Sequence, residues 1–380
     1  MRFLPTLLLV LIVCCSFAQE KNNKGWHLKD KTDDGMAGIS LNKAYQFLQD
    51  KKSTPIIVAV IDSGIDTLHE DLKNVLWTNT KEIPGNGIDD DGNGYVDDVH
   101  GWNFLGGKDG TEVEKASAEK PRVYHGFKDK FLNKTIDTHS LSYLELYQYK
   151  MWKRAAAEIE PDPEKITEAE NWKRIIEKLI YWDSLVVKES KVADFSSSQL
   201  EKIAVITDEG KRSKMGLLKL MNALPFGSEA KFSVILNDLK DEMNNLNTET
   251  QQKETPPEDV HKTIIKDNYT DFNDRYYGNN NIMGKGSLHG THVSGIIAAE
   301  RNNNIGIDGI ADNVQIMVVR AVPDGDEYDK DIAEAIRYAV DNGAKVINMS
   351  FGKSYSPQKQ WVDEAIKYAE SKDVLLVHAA

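Results

Sequence analysis

Basic residues are the minority charge in this chain: 47 lysines and arginines stand against 60 aspartates and glutamates in 380 residues, a formal net charge of −13 at pH 7. Non-specific nucleic-acid binding rests on cations that neutralise phosphates, so this balance, with no basic tract, argues against it and favours cations as partners. Cysteine is nearly absent, and the two present, Cys14 and Cys15, are adjacent near the amino terminus. Long apolar runs are equally scarce. One extends from Phe3 to Cys15, and no other approaches the ~20 residues of a membrane-spanning helix. What is plentiful is ordinary globular material, with 40% hydrophobic and 28% charged residues, which excludes both a disordered chain and a polytopic membrane protein.

Arg2 precedes the Phe3–Cys15 run, and Ser16-Phe17-Ala18 supplies the small residues of a signal-peptidase site. Residues 1–18 therefore read as a signal peptide cleaved after Ala18. The alternative is a lipoprotein signal, for which Val13 before Cys14 and Cys14 before Cys15 are poor matches to the small residue expected there. Cleavage after Ala18 leaves no cysteine, and with it no disulfide, cysteine nucleophile or thiolate metal site. The chain is expected to be exported, to the extracellular space, the periplasm or the cell surface, with no transmembrane anchor in this part.

A short helix is expected over Leu41 to Lys51, leading into the unbroken apolar run Ile56-Ile-Val-Ala-Val-Ile61 with Asp62-Ser-Gly64 at its end. A strand buried on both faces reads this way. Similar runs at Val314–Val322, Lys345–Met349 and Val374–Ala379 alternate with helical patterns at Lys330–Asn342 and Gln358–Ser371. Strand and helix in alternation imply parallel strands with right-handed crossovers, hence an α/β domain of three layers with its site at the carboxyl ends of the strands. Between residues 107 and 270 the texture changes to charged stretches of helical period, as in Trp172, Ile175, Ile176, Leu179 and Val186. Pro161, Pro163, Gly210 and Pro256-Pro257 punctuate a helical insertion, so the α/β domain is expected over 19–106 and 271–380.

Asp62 closes its strand, and far downstream Gly286-Ser-Leu-His289-Gly-Thr-His292-Val-Ser-Gly295 opens a helix of small apolar residues. In this order and on these elements, the two segments resemble the aspartate and histidine motifs of the subtilisin-like serine proteases. The similarity continues through Asn302-Asn-Asn-Ile-Gly-Ile-Asp-Gly-Ile-Ala311 and Val346-Ile-Asn-Met-Ser350-Phe-Gly352. A serine hydroxyl is a weak nucleophile at neutral pH, so a histidine must take its proton while a buried carboxylate fixes the imidazole tautomer. The resemblance makes His289 the general base and Asp62 its orienter, with His292 structural. It also makes Ser350-Phe351-Gly352 the segment to which an extended protein or peptide substrate adds as a strand. Asp324, Asp326 and Glu327 are read either as an acidic rim favouring basic substrate residues or as solvated loop carboxylates.

The family's third residue, a serine after a Gly-Thr-Ser turn, has no match after His289, nor has the asparagine that donates to the oxyanion. The chain is thus expected to be the amino-terminal part of a longer secreted serine endopeptidase, incomplete in its subtilisin-like fold at the carboxyl end and inert alone. A truncated pseudoprotease that binds peptides without cutting them is the alternative. A metallohydrolase built on His289 and His292 lacks the glutamate of a His-Glu-x-x-His helix and a third ligand. Residues 19–55 leave no room for a folding-assisting propeptide domain, and the insertion is open to reading as a lid, a chaperone-like module, a docking surface or a structural elaboration.

Calcium is the second chemical theme. Asp89-Asp-Asp-Gly-Asn-Gly-Tyr-Val-Asp-Asp98 resembles an EF-hand loop, with Asp89 first, Asp91 and Asn93 third and fifth, Gly94 on the sharp turn, the Tyr95 carbonyl seventh and Asp97 ninth. The twelfth position is His100, so Asp98 or a distant group must close the loop, and a plain polar turn is the alternative. The family resemblance implies a further calcium site from Asp71, Asn303 and the carbonyls of Ile305 and Ile307. Both ions would stiffen loops and take no part in the chemistry.

Overall fold

The computed structural model describes residues 25–379, and the signal peptide expected over 1–18 lies outside them. The chain divides into two compact units, one formed by the residues up to Ala116 together with those from Asp259 onward, the other by Ser117–Glu258.

In the first unit, α1 (Leu41–Leu48) precedes β1 (Ile56–Asp62) and a three-residue β2 (Gly101–Asn103). The helical unit follows as α2 (Glu119–Phe131), α3 (Tyr143–Glu158), α4 (Pro163–Ser190), α5 (Ser197–Lys202), α6 (Asp208–Ala223) and α7 (Phe232–Gln251). The chain then returns to the first unit with α8 (Leu288–Ala298), β3 (Val314–Arg320), α9 (Asp329–Asp341), β4 (Val346–Met349), α10 (Lys359–Ser371) and β5 (Leu375–His378).

All five strands are parallel, in the order β2-β3-β1-β4-β5. Strand β1 is central, and its alternate residues feed two cores. Ala59 and Ile61 pack with Ile332, Ala333 and Ile336 of α9, while Val58 and Val60 pack with Ile65, Leu72 and Ala298 on the α8 side. A strand apolar on both faces needs a helix layer on each, so the expected three-layer parallel α/β architecture is the observed one. The helix expected to Lys51 ends at Leu48, and β3 ends at Arg320, two residues short of Val322.

The helical unit has its own core of Ile176, Leu179, Val186, Phe195, Leu217, Met221, Phe232 and Ile235. Sequence signals set its helix starts. Ser142 and Ser196 form capping boxes with Glu145 and Gln199, and Asp162 caps α4 with Pro163 in its first turn. Ile175, read on the same stripe as Ile176, is instead exposed, because neighbours in a helix point about 100° apart. The unit is narrower than the expected 107–270. Residues 107–116 and 259–270 belong to the α/β unit, where Val113, Val260 and Ile265 join the core that includes α9.

Candidate active site

Asp62 closes β1 and His289 sits in the first turn of α8, brought together from 227 residues apart in sequence. The imidazole Nδ1 lies 2.8 Å from Oδ1 and 2.9 Å from Oδ2 of Asp62. The carboxylate is 2% exposed and the imidazole 59% exposed, so one end of the pair is sealed and the other faces solvent. Ser63 donates its backbone N–H to Asp62 Oδ1 at 2.7 Å, which fixes the carboxylate plane.

Glycine permits this approach. A Cβ on Gly290 would stand 2.2 Å from the Gly64 carbonyl oxygen and 3.2 Å from Oδ1 of Asp62, so α8 can rest on the Asp62–Gly64 turn only where its second residue after Leu288 lacks a side chain. Ser63 Oγ donates to the Gly286 carbonyl at 2.6 Å, and Thr291 Oγ1 accepts from the Asp66 N–H at 2.9 Å. These bonds fasten the strand end to the start of the helix. His292, read as structural, is exposed.

A carboxylate that orients an imidazole by Nδ1 leaves Nε2 able to accept a proton from a hydroxyl or to return one. Among the described residues no serine hydroxyl is hydrogen-bonded to His289. Ser350 follows β4 on the same carboxyl edge of the sheet, where Met349 stands in register with Ile61, and its Oγ accepts from Asn348 Nδ2 at 3.0 Å. Phe351 is partly buried with its ring edge-on to His378, 6.4 Å between centroids, and Gly352 is exposed beyond it. Of the acidic rim, Glu327 is buried, which pushes its carboxyl pKa up, and the Asp324 backbone pairs with Glu114 and Ala116.

The acidic loop brings together Asp89 and Asp91 with Glu82, one carboxylate oxygen from each lying within 4.8 Å of the other two. Glu82 did not stand out in the sequence, although it is the only acidic residue between Asp71 and Asp89. Asp89 and Asp91 accept from the Asn93 N–H at 3.1 and 3.0 Å, and Asn93 Oδ1 from the Tyr95 N–H at 2.8 Å. Asp97 is turned elsewhere, accepting from the N–H groups of Asn86 and Gly87, while His100 Nδ1 lies 2.7 Å from the Trp77 carbonyl. Asp98 is wholly buried, its pKa pushed up to about 6 by burial, and accepts from Tyr338, Asn79 and Asn93. Glu82, and not the expected Asp97 or Asp98, thus joins Asp89 and Asp91, and three carboxylates suit a hard cation that takes oxygen ligands.

The buried Asp71 accepts from Asn303 Nδ2 at 2.8 Å and from the Ile307 N–H at 3.2 Å, and the Ile305 N–H donates to Asn303 Oδ1 at 2.8 Å. Gly306 passes with φ +51°, and a Cβ there would stand 2.3 Å from Asp71 Oδ2. The structure therefore wraps the 303–307 loop on Asp71, whose two carboxylate oxygens accept from the Asn303 amide and the Ile307 N–H.

The Subtilase family profile matches residues 53–380. The chain is 47% identical over 93 residues to the thermophilic serine proteinase of Bacillus sp. (strain AK1), covering 24% of this chain and 23% of that protein. It is 34% identical over 125 residues to thermitase of Thermoactinomyces vulgaris, covering 31% and 44%. A cell wall-associated protease of Bacillus subtilis (strain 168) is 40% identical over 87 residues, covering 23% and 10%. The matched segments span less than half the length of each of these relatives.

Proposed function

The chain belongs to the subtilase family, and from that premise we propose that it carries the aspartate and histidine of an exported serine endopeptidase. The observation that carries this reading is the bond from buried Asp62 to exposed His289 at 2.8 Å. His289 takes the proton of a serine hydroxyl and hands it to the leaving amine, while Asp62 holds the tautomer and stabilises the imidazolium. Without such a serine the Asp62–His289 pair does not turn over substrate. Substrate is an extended peptide that adds along Ser350-Phe351-Gly352, where backbone bonds give affinity and side-chain contacts give selectivity. The leader over residues 1–18 supports export, as does the likeness to a cell wall-associated protease.

Calcium is held by Glu82, Asp89 and Asp91, with the Asn93 side chain and Tyr95 carbonyl beside them, and by Asp71, Asn303 and the carbonyls of Ile305 and Ile307. Bound there, it stiffens two loops outside the catalytic pair. The test is hydrolysis of a denatured protein substrate by the purified full-length protein and its His289→Ala variant. Hydrolysis by the first and not by the second supports the reading; equal hydrolysis by both, or none by either, contradicts it.

A further inference from the structure

We propose that Arg320 is the positioning residue of the Asp62–His289 pair, a buried guanidinium fork that holds the Asp62 turn in place; this rests on reading that pair as catalytic. Arg320 ends β3 directly opposite Asp62 in the sheet register and is 2% exposed. A charge at the end of a largely apolar strand is costly to bury unless it is paired and hydrogen-bonded. Here its donors are used in several directions. Nη1 donates to Glu112 Oε2 at 2.6 Å and Asn103 Oδ1 at 3.0 Å, Nη2 to the Val113 carbonyl at 2.9 Å, and Nε to the Ser63 carbonyl at 3.3 Å.

Ser63 relays the restraint. The residue whose carbonyl accepts from Arg320 donates its own N–H to Asp62 Oδ1, the oxygen that lies 2.8 Å from His289 Nδ1. On the far side, Glu112 Oε1 accepts from Asn279 and Asn281, both at 3.1 Å, so the fork is itself braced by the stretches that precede and follow the helical unit in sequence. Gly284 closes the enclosure. At φ +57° it passes so near that a Cβ would stand 2.4 Å from Arg320 Nε. A lysine offers a point charge and could not serve these diverging acceptors together.

The test is a one-dimensional proton spectrum of the purified full-length protein at low temperature. A proton held between an imidazole nitrogen and a carboxylate resonates far downfield. The buried His261–Asp267 contact, 2.7 Å long, gives a second such signal as an internal control of the fold. His289→Ala assigns the signal of the Asp62 pair. In Arg320→Met, loss of the His289 signal with retention of the His261 signal is expected; retention of both overturns the proposal. Should Arg320→Met fail to fold and lose both, Glu112→Gln removes only the brace. It is then expected to broaden the His289 signal and spare the other, and an unchanged His289 signal overturns the proposal. The readout needs no turnover, so absence of protease activity would leave this result standing.

Discussion

Asp62 and His289 meet at 2.8 Å across the junction of a strand end and a helix start, with the carboxylate sealed and most of the imidazole in solvent. Sealing strengthens the carboxylate's hold on Nδ1–H, and exposure leaves Nε2 within reach of a reacting group.

Replacing Asp62 by Asn keeps the shape but presents a donor where the imidazole needs an acceptor. In serine proteases this exchange lowers turnover by about 10⁴ through the wrong tautomer. The Asp62→Asn variant of the full-length protein is expected to lose activity on that scale with its melting temperature nearly kept. A loss under tenfold would mean that Asp62 does not orient the base.

Gly290→Ala puts a methyl 2.2 Å from the Gly64 carbonyl oxygen. Overpacking of this kind costs about 1–3 kcal/mol, and here the strain falls on the Asp62–His289 contact. Both melting temperature and turnover should fall together; a wild-type melt would show that α8 does not rest on the turn as described.

The calcium proposed for the two loops would bind the folded chain only, and an ion at a hundred times its Kd adds about 2.7 kcal/mol to stability. A chelator should therefore lower the melting temperature, and Glu82→Gln should shrink that drop. If chelation leaves the melt of the wild type unchanged, neither loop holds the ion.

Asp331 is wholly buried, and burial pushes its carboxyl from an ordinary 3.8 up to about 6, against the opposing pull of His261 and the Tyr277 hydroxyl. Between those values the folded chain holds a proton that the unfolded chain releases. This group's contribution to stability is therefore full below about pH 4 and declines as pH rises to about 6. Asp331→Asn, which cannot ionise, should gain on the wild type over that interval in denaturant titrations. Parallel pH profiles for the two proteins would contradict the raised value.

The long elements were legible because their physics is local. A strand covered on both faces must be apolar throughout, as β1 and most of β3 are, and the helix starts carry their caps. Strand β2 was not legible: Gly101-Trp-Asn103 is too short to show a period, and its pairing with β3 exists only in the fold. The edges of the helical unit were misplaced for a related reason. Residues 259–270 look polar in sequence, yet Asp267 and His261 are buried, and Asp267 pairs at 2.6 Å with the equally buried Lys330, a partner far along the chain. Asp62 and His289 stood out through their motifs, whereas Glu82 and Arg320 carry no motif. Each is an isolated charge whose role depends on what the fold places beside it.

The most direct measurement is labelling of the purified full-length protein with a fluorophosphonate, which reacts only with an activated serine. The account predicts a labelled protein and loss of the label in His289→Ala, because the hydroxyl is then no longer relieved of its proton. An unlabelled wild type, or a label that survives His289→Ala, would contradict the assignment of His289 and Asp62 to a serine protease triad.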